Sequence, residues 1–234
     1  MKLKLAHLNA WGMPWPLSVL RRTRMEIIAC LIKEKDFDVV CLNEVWFKDD
    51  VEFLRKNLKG YNFVYMKEGK INEQGLVTIS KYPLKLKEFI PFRRSEVFSH
   101  KGILISECDI KGFKVKVINT HLFHSRKLDK SIVVQGQLAK IKRILDKIPT
   151  ILMGDFNIDA DKVKFPGFNV ISDTSIPTLN KENRYTHKLF NGLYSINLKC
   201  DIIFTNFKNK ILRKGMIKEP LISDHYMIFS EIMV

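Results

Sequence analysis

Apolar runs of strand length that end in carboxamide, carboxylate or imidazole side chains recur along this chain, and they limit its fold more than any other feature. The first run, residues 3–9, ends at Asn9, and "FDVVCLNEV" reaches Asn43 and Glu44. "FKVKVINTHL" ends in Asn119, Thr120 and His121, and "ILMGDFNIDA" passes through Gly154 to Asp155 and Asn157. Near the C-terminus Asp201 opens one strand, and Ser223, Asp224 and His225 precede another. Side chains two apart on an extended chain share a face, so Asp155 and Asn157 are expected to project together from their strand end. The same residues also read as a strand followed by an ordinary Asp/Asn turn.

The rest of the chain supplies a few helices among many short strands. Met25, Ile28 and Ile32 fall at helical spacing within Ser18 to Lys35, Asp49 and Asp50 are placed to cap a second helix that stops at Gly60, and a third spans Asp129 to Lys147. "YNFVYM", "GLVTIS", "LKLKEFI" and "GILISECDI" read as strands, the last joined to "FKVKVINTHL" by a Lys111-Gly112 turn. After irregular residues from Asp159 to Leu198 come "CDIIF", "ILRKGMI" and "HYMIFSEIM". Strands and helices do not alternate strictly. Two packed sheets flanked by helices, an α+β arrangement, are therefore expected rather than a doubly wound parallel sheet. No linker or low-complexity stretch divides the chain, so residues 1–234 read as one domain.

Composition bounds the partners. A 234-residue chain with 46% hydrophobic residues has ample core, and its formal charge of +15 favours polyanionic partners such as nucleic acid or anionic lipid surfaces, or serves solubility. Cys30, Cys41, Cys108 and Cys200 show no CxxC spacing and read as reduced, buried thiols. No run approaches the roughly 18 apolar residues of a membrane span, and no leader pattern opens the chain. A soluble cytoplasmic monomer is the expectation.

If the polar strand ends gather at one edge, they form a pocket with a chemical logic. Hard divalent cations such as Mg²⁺ take oxygen ligands, typically one or two carboxylates plus substrate phosphate oxygens. Glu44 supplies a carboxylate, and Asn9 orients it. Hydrolysis of a phosphodiester needs a base for the attacking water, and His225 suits that role, with Asp224 or Asp201 behind its other ring nitrogen. Asp155 and Asn157 would position the nucleophile or a phosphoryl oxygen, and His121 would donate to the phosphate.

The order Asn9, Glu44, His121, "GDFN", Asp201 and "SDH" resembles the endonuclease/exonuclease/phosphatase superfamily, the deoxyribonuclease-I-like fold, over nearly the whole chain. The resemblance implies a four-layer α/β/β/α sandwich of two mixed sheets, with a Mg²⁺-dependent site at one edge and Mn²⁺ able to substitute. "LNAWGMP", "NEVW", "GLVTISKYPL" and the "FSHKGILI" and "INTHL" segments are similar to the neutral-sphingomyelinase branch. By that comparison Glu44, with Asn9 and Asp224, serves the metal, Asp155 and Asn157 serve the phosphate and nucleophile, and Lys101 and His121 lie close to the phosphate. The base role goes to His225, although the family's base has been assigned both to this His and to the "GDFN" Asp.

The resemblance implies a phosphodiesterase acting on a phosphocholine-type lipid, while the basic charge favours a nuclease acting on DNA or RNA. A third reading is a binding module that keeps the fold without catalysis. Three departures bear on this. "KCDIIF" replaces an Arg-x-Asp-Tyr pattern with Lys199 and Ile202, which leaves the support of Asp201 open. Glu44 follows Asn43 where many nucleases have Gln. A long apolar hairpin and a C-terminal membrane anchor are not expected from the sequence, and only "EFIPFRRSEVF", residues 88–98, mixes aromatic with basic residues, either to meet a headgroup or nucleic-acid backbone or with Phe89 and Phe92 in the core.

Overall fold

A computed structural model describes residues 1–66, 75–92, 101–123, 131–179 and 198–234. The strands are β1 (Lys2–Asn9), β2 (Val39–Asn43), β3 (Asn62–Val64), β4 (Val77–Ser80), β5 (Leu84–Pro91), β6 (Gly102–Ile110), β7 (Phe113–His121), β8 (Thr150–Asp155), β9 (Asn169–Val170), β10 (Asp201–Thr205), β11 (Lys210–Ile217) and β12 (Met227–Met233). The helices are α1 (Arg21–Glu34), α2 (Lys48–Asn57) and α3 (Ser131–Ile144). The strands form two six-stranded sheets, ordered β11-β12-β1-β2-β4-β3 and β5-β6-β7-β8-β10-β9. Both sheets are mixed: β1 pairs parallel with β2 and β7 parallel with β8, while the other ladders are antiparallel.

Strand parity explains the layering. On β1, Leu3 and Leu5 point between the sheets, while Ala6 and Leu8 point outward to Met25 and Ile28 of α1 and to Val51 and Leu54 of α2. On β8, Ile151 and Met153 join the same inter-sheet layer, while Leu152 packs with Ile118, Phe204 and the α3 residues Val134, Leu138 and Ile141. Each sheet therefore buries both faces, which its continuous apolar runs require. The result is a four-layer α+β sandwich, as expected from the sequence.

Boundaries moved in particular ways. α1 starts at Arg21, after a Leu20 in the left-handed region at φ 52°, rather than at Ser18. Phe47 precedes α2 without a side-chain cap, and Asp49 and Asp50 lie in its first turn, where they complement the helix dipole. Lys111 and Gly112 have φ of 54° and 88°, the left-handed pair a tight hairpin needs. Cys41, Cys108 and Cys200 are buried, but Cys30 is exposed, because it falls on the solvent side of α1. Phe92 is buried and Phe89 packs beside Val64, Leu76 and Leu104, so both belong to the core, while residues 93–98 lie outside the described residues. Among the described residues no helix is long and apolar enough to cross a membrane.

Candidate active site

The inter-sheet face that is apolar along most of its length turns polar at one end. Following Leu3 and Leu5 on that face come His7 and Asn9; following Val39 and Cys41 comes Asn43; following Val115 and Val117 come Asn119 and His121; and following Ile151 and Met153 comes Asp155. Pairing aligns these tips, with Asn9 opposite Asn43, His121 opposite Asp155, and Asp155 opposite Asp201. All of these polar side chains are buried.

Close backbone approach fixes the tips. A Cβ on Gly154 would meet the Thr120 carbonyl oxygen at 2.1 Å, so the glycine before Asp155 lets β8 lie against β7. A Cβ on Gly12 would lie 2.2 Å from the Glu44 carbonyl oxygen, which accepts a 2.7 Å bond from the Gly12 N–H. Glu44 itself sits at φ 56°, an uncommon conformation for a non-glycine residue that turns its carboxylate into the pocket as β2 ends. Asn43 crosses between the sheets: its amide donates to Asn119 Oδ1 at 2.7 Å, and its Oδ1 accepts from the Asp155 N–H at 3.1 Å.

Asn9 Nδ2 donates to Glu44 Oε1 and to Asp155 Oδ2, both at 3.1 Å, and its Oδ1 accepts from the Trp11 N–H. It thus orients the two carboxylates. Asp155 and Asn157 do meet, but through a turn rather than a continuing pleat. Asn157 lies at φ 52°, its N–H donates to Asp155 Oδ1 at 2.8 Å, and its side-chain amide reaches Leu122 O at 2.8 Å and Asp155 Oδ2 at 3.3 Å. Both readings of the tetrapeptide hold together: the Asp/Asn turn is what seats the pair.

On the other side, His225 Nδ1 lies 2.7 Å from Asp201 Oδ2, and its Nε2 faces Asp155 Oδ2 at 3.9 Å. The carboxylate behind the imidazole is therefore that of Asp201, not that of Asp224. Asp224 Oδ1 lies 3.0 Å from Ser223 Oγ, which also sits 2.6 Å from the Asn9 carbonyl oxygen. Lys101 Nζ donates to His121 Nε2 at 2.8 Å and to Leu122 O at 2.9 Å. His121 Nδ1 is buried and has no hydrogen-bond partner among the described residues. His121 Nε2 also lies 3.4 Å from Asp155 Oδ2 and 3.7 Å from Glu44 Oε1.

Burial and charge act together on these groups. Burial drives the His121 imidazole below its usual range, and the Lys101 ammonium adds to it, so His121 is neutral. Burial alone would neutralise His225, but the Asp201 and Asp224 carboxylates outweigh it and hold the ring well above 6.5. Burial opposes ionisation of Asp155 as well, yet the hydrogen bond from the His121 ring and the charges of His225 and Lys101 keep it well below 3.8. Asp224 goes the other way, pushed up to about 7 by burial and by the charge of Glu44.

A divalent cation fits this donor set. Glu44 Oε2 is buried and has no hydrogen-bond partner among the described residues, and Asp224 is raised by the same acidic field that a cation would offset. Asp155, Cys200 and His225 also bring ligand atoms within 4.8 Å of one another. That group suits a hard cation poorly, because burial and the neighbouring carboxylates hold the Cys200 thiol well above 9 and His225 Nδ1 is engaged by Asp201.

Every residue expected from the sequence, namely Asn9, Glu44, Lys101, His121, Asp155, Asn157, Asp201, Asp224 and His225, lies in this one constellation. Two participants escaped the sequence reading. His7 Nε2 lies 2.9 Å from Asp201 Oδ1, and its signal was parity, since it shares the inward face of β1 two residues before Asn9. Arg24, fully buried on α1, donates to Ala10 O at 2.6 Å, Trp11 O at 2.9 Å and Ile222 O at 3.3 Å, tying the segment after Asn9 to the one before Ser223. Helical spacing puts it on the buried side, four residues before Ile28, but does not say what the guanidinium meets there.

The chain is similar to known proteins in sequence and in fold. A family model described as Endonuclease/Exonuclease/phosphatase family matches residues 7–197. Human Sphingomyelin phosphodiesterase 2 is 26% identical over 176 residues, 68% of this chain and 41% of that protein. A putative neutral sphingomyelinase of Drosophila melanogaster is 29% identical over 133 residues, 52% of this chain and 30% of that protein. The chain thus spans well under half the length of these curated relatives. Among solved structures, D. rerio TDP2 complexed with single strand DNA product superposes with a TM-score of 0.74 at 17% identity, covering 100% of this chain and 99% of the other, a likeness of fold. Members of the matching family are phosphodiesterases and related hydrolases, generally dependent on divalent metals. On its sequence match and its architecture, the chain belongs to the Endonuclease/Exonuclease/phosphatase family.

Proposed function

We propose that this chain is a Mg²⁺-dependent phosphodiesterase of the sphingomyelinase type, hydrolysing a phosphocholine-type phospholipid to an alcohol and a phosphate monoester. The observation that carries the reading is the convergence of a buried Glu44, one oxygen of which has no hydrogen-bond partner among the described residues, the Asp155–Asn157 pair, and His225 backed by Asp201. Glu44 and Asp224 would hold the cation, and Asn9 orients Glu44 and Asp155. A divalent cation bound there would offset charge on the phosphoryl oxygens and part of the acidic field around His225. His225 Nε2 then takes the proton of the attacking water as its oxygen bonds to phosphorus and the ester P–O bond breaks. Asp201 keeps the other ring proton on Nδ1 and stabilises the imidazolium formed. Asp155 and Asn157 orient the water, while the Lys101 ammonium, held against His121, lends positive charge on the phosphate side.

The sphingomyelinase names among the relatives support a lipid substrate. A formal charge of +15 favours the second reading, a nuclease whose affinity comes from phosphate contacts by Lys and Arg. Purified protein with Mg²⁺ or Mn²⁺, assayed on sphingomyelin vesicles, plasmid, single-stranded DNA, RNA and bis(p-nitrophenyl) phosphate, separates the two. Lipid turnover without nicking is the expected outcome, nicking without lipid turnover replaces the substrate, and silence on all five overturns the hydrolase reading.

A further inference from the structure

We propose that His7 is a positioning residue for His225, acting through the carboxylate of Asp201. Its kinetic consequence rests on the phosphodiesterase reading above; its geometry does not. Asp201 lies at the start of β10 in the second sheet, fully buried, and both imidazoles that reach it come from the first sheet, His7 on β1 and His225 just before β12. Oδ2 faces His225 Nδ1 at 2.7 Å and Oδ1 faces His7 Nε2 at 2.9 Å.

Without His7, one oxygen of a buried carboxylate loses its imidazole partner, and the terminal carboxylate torsion, which is broad, no longer has two fixed ends. Held at both oxygens, the carboxylate keeps Oδ2 on His225 Nδ1 and so keeps that ring's Nε2 turned toward Asp155. His7 is itself set for this. Its Nδ1 is buried with no hydrogen-bond partner among the described residues, so a proton there would be stranded, and the tautomer with its proton on Nε2 donates to Asp201. Ile202, next to Asp201, points into the outer core beside Phe204 and offers Asp201 no polar support. His7 supplies the support that the "KCDIIF" sequence leaves open.

The test pairs kinetics with a direct view of the ring. With Mg²⁺ and bis(p-nitrophenyl) phosphate, His7→Leu is expected to lower kcat by about 10–100-fold with KM within about twofold, the size typical of outer-shell partners that orient metal-bound imidazoles. The downfield Nδ1 proton resonance of His225 is expected to shift or broaden. His7→Gln, whose amide nitrogen reaches nearly as far as Nε2, should recover most of both signals, and the shorter His7→Asn should not. In a His225→Ala background, His7→Leu should cause no further loss. A folded His7→Leu protein with unchanged kcat and an unchanged resonance overturns the proposal. If the leucine variant does not fold, equal behaviour of the Gln and Asn variants overturns it instead. Should the wild-type chain hydrolyse no phosphodiester, the function fails separately, and the His225 resonance alone decides the role of His7.

Discussion

Replacing Asp201 with asparagine changes one atom in the centre of the site, and its cost follows from two observations. Both carboxylate oxygens accept from imidazole nitrogens, at 2.9 Å from His7 and 2.7 Å from His225. Asparagine presents a donor on one side, so one imidazole must change tautomer or lose its bond; a hydrogen bond to a charged group is worth about 1.5–3 kcal/mol. The titration of Asp201 gives a similar size. Burial raises its pKa, but the charge of His225 and the bonds from His225 and His7 prevail and bring it from 3.8 to about 2, equivalent to about 2 kcal/mol. Because the folded value is depressed, this stabilisation is present above about pH 4 and fades as pH falls toward 2. Asp201→Asn should therefore lower stability by about 2 kcal/mol at pH 6, or about 4–8 °C in Tm for a domain of this size, with the gap closing toward pH 3. Calorimetry or urea unfolding of both proteins between pH 3 and 7 measures it. Equal stability at pH 6, or a gap that stays constant down to pH 3, refutes the two-imidazole clamp. Loss of the correct His225 tautomer should also cut kcat by about 100-fold or more.

The two close backbone approaches give further expectations. Gly154→Ala places a methyl 2.1 Å from the Thr120 carbonyl oxygen, so β7 and β8 must separate; a loss of about 1–3 kcal/mol is expected in chemical denaturation, and wild-type stability contradicts the packing. Gly12→Ala pushes on the Glu44 carbonyl oxygen from 2.2 Å and should weaken Mg²⁺ binding more than it lowers Tm, read by calorimetric titration beside a melting curve. An unchanged Mg²⁺ affinity in a folded Gly12→Ala protein removes Gly12 from the positioning of Glu44.

Much of this was legible in the chain because the strand period is two. A run such as Leu3, Leu5, His7, Asn9 states its own burial pattern, and the polar tips marked one edge before any pairing was known. What the period does not state is which strand of the other sheet each tip faces. The bonds from Asn43 to Asn119 and from His7 to Asp201 join residues 76 and 194 positions apart, and only the packing of the two sheets brings them together. Asp224 was similarly ambiguous: adjacent in sequence to His225, it turns toward Ser223 while the distant Asp201 takes the ring. Arg24 shows the opposite limit, since its place on the buried side of α1 does not reveal the three backbone carbonyls that it holds together.

The most direct measurement is a Mg²⁺ titration of chelator-stripped protein, following hydrolysis of bis(p-nitrophenyl) phosphate by wild type and by Glu44→Gln. Wild-type turnover should be absent without metal and rise to saturation as Mg²⁺ is added, while Glu44→Gln, correctly folded by circular dichroism, should stay near background over the same range. Turnover that persists after metal removal, or a Glu44→Gln protein with the wild-type Mg²⁺ response, contradicts a hydrolytic site built on Glu44.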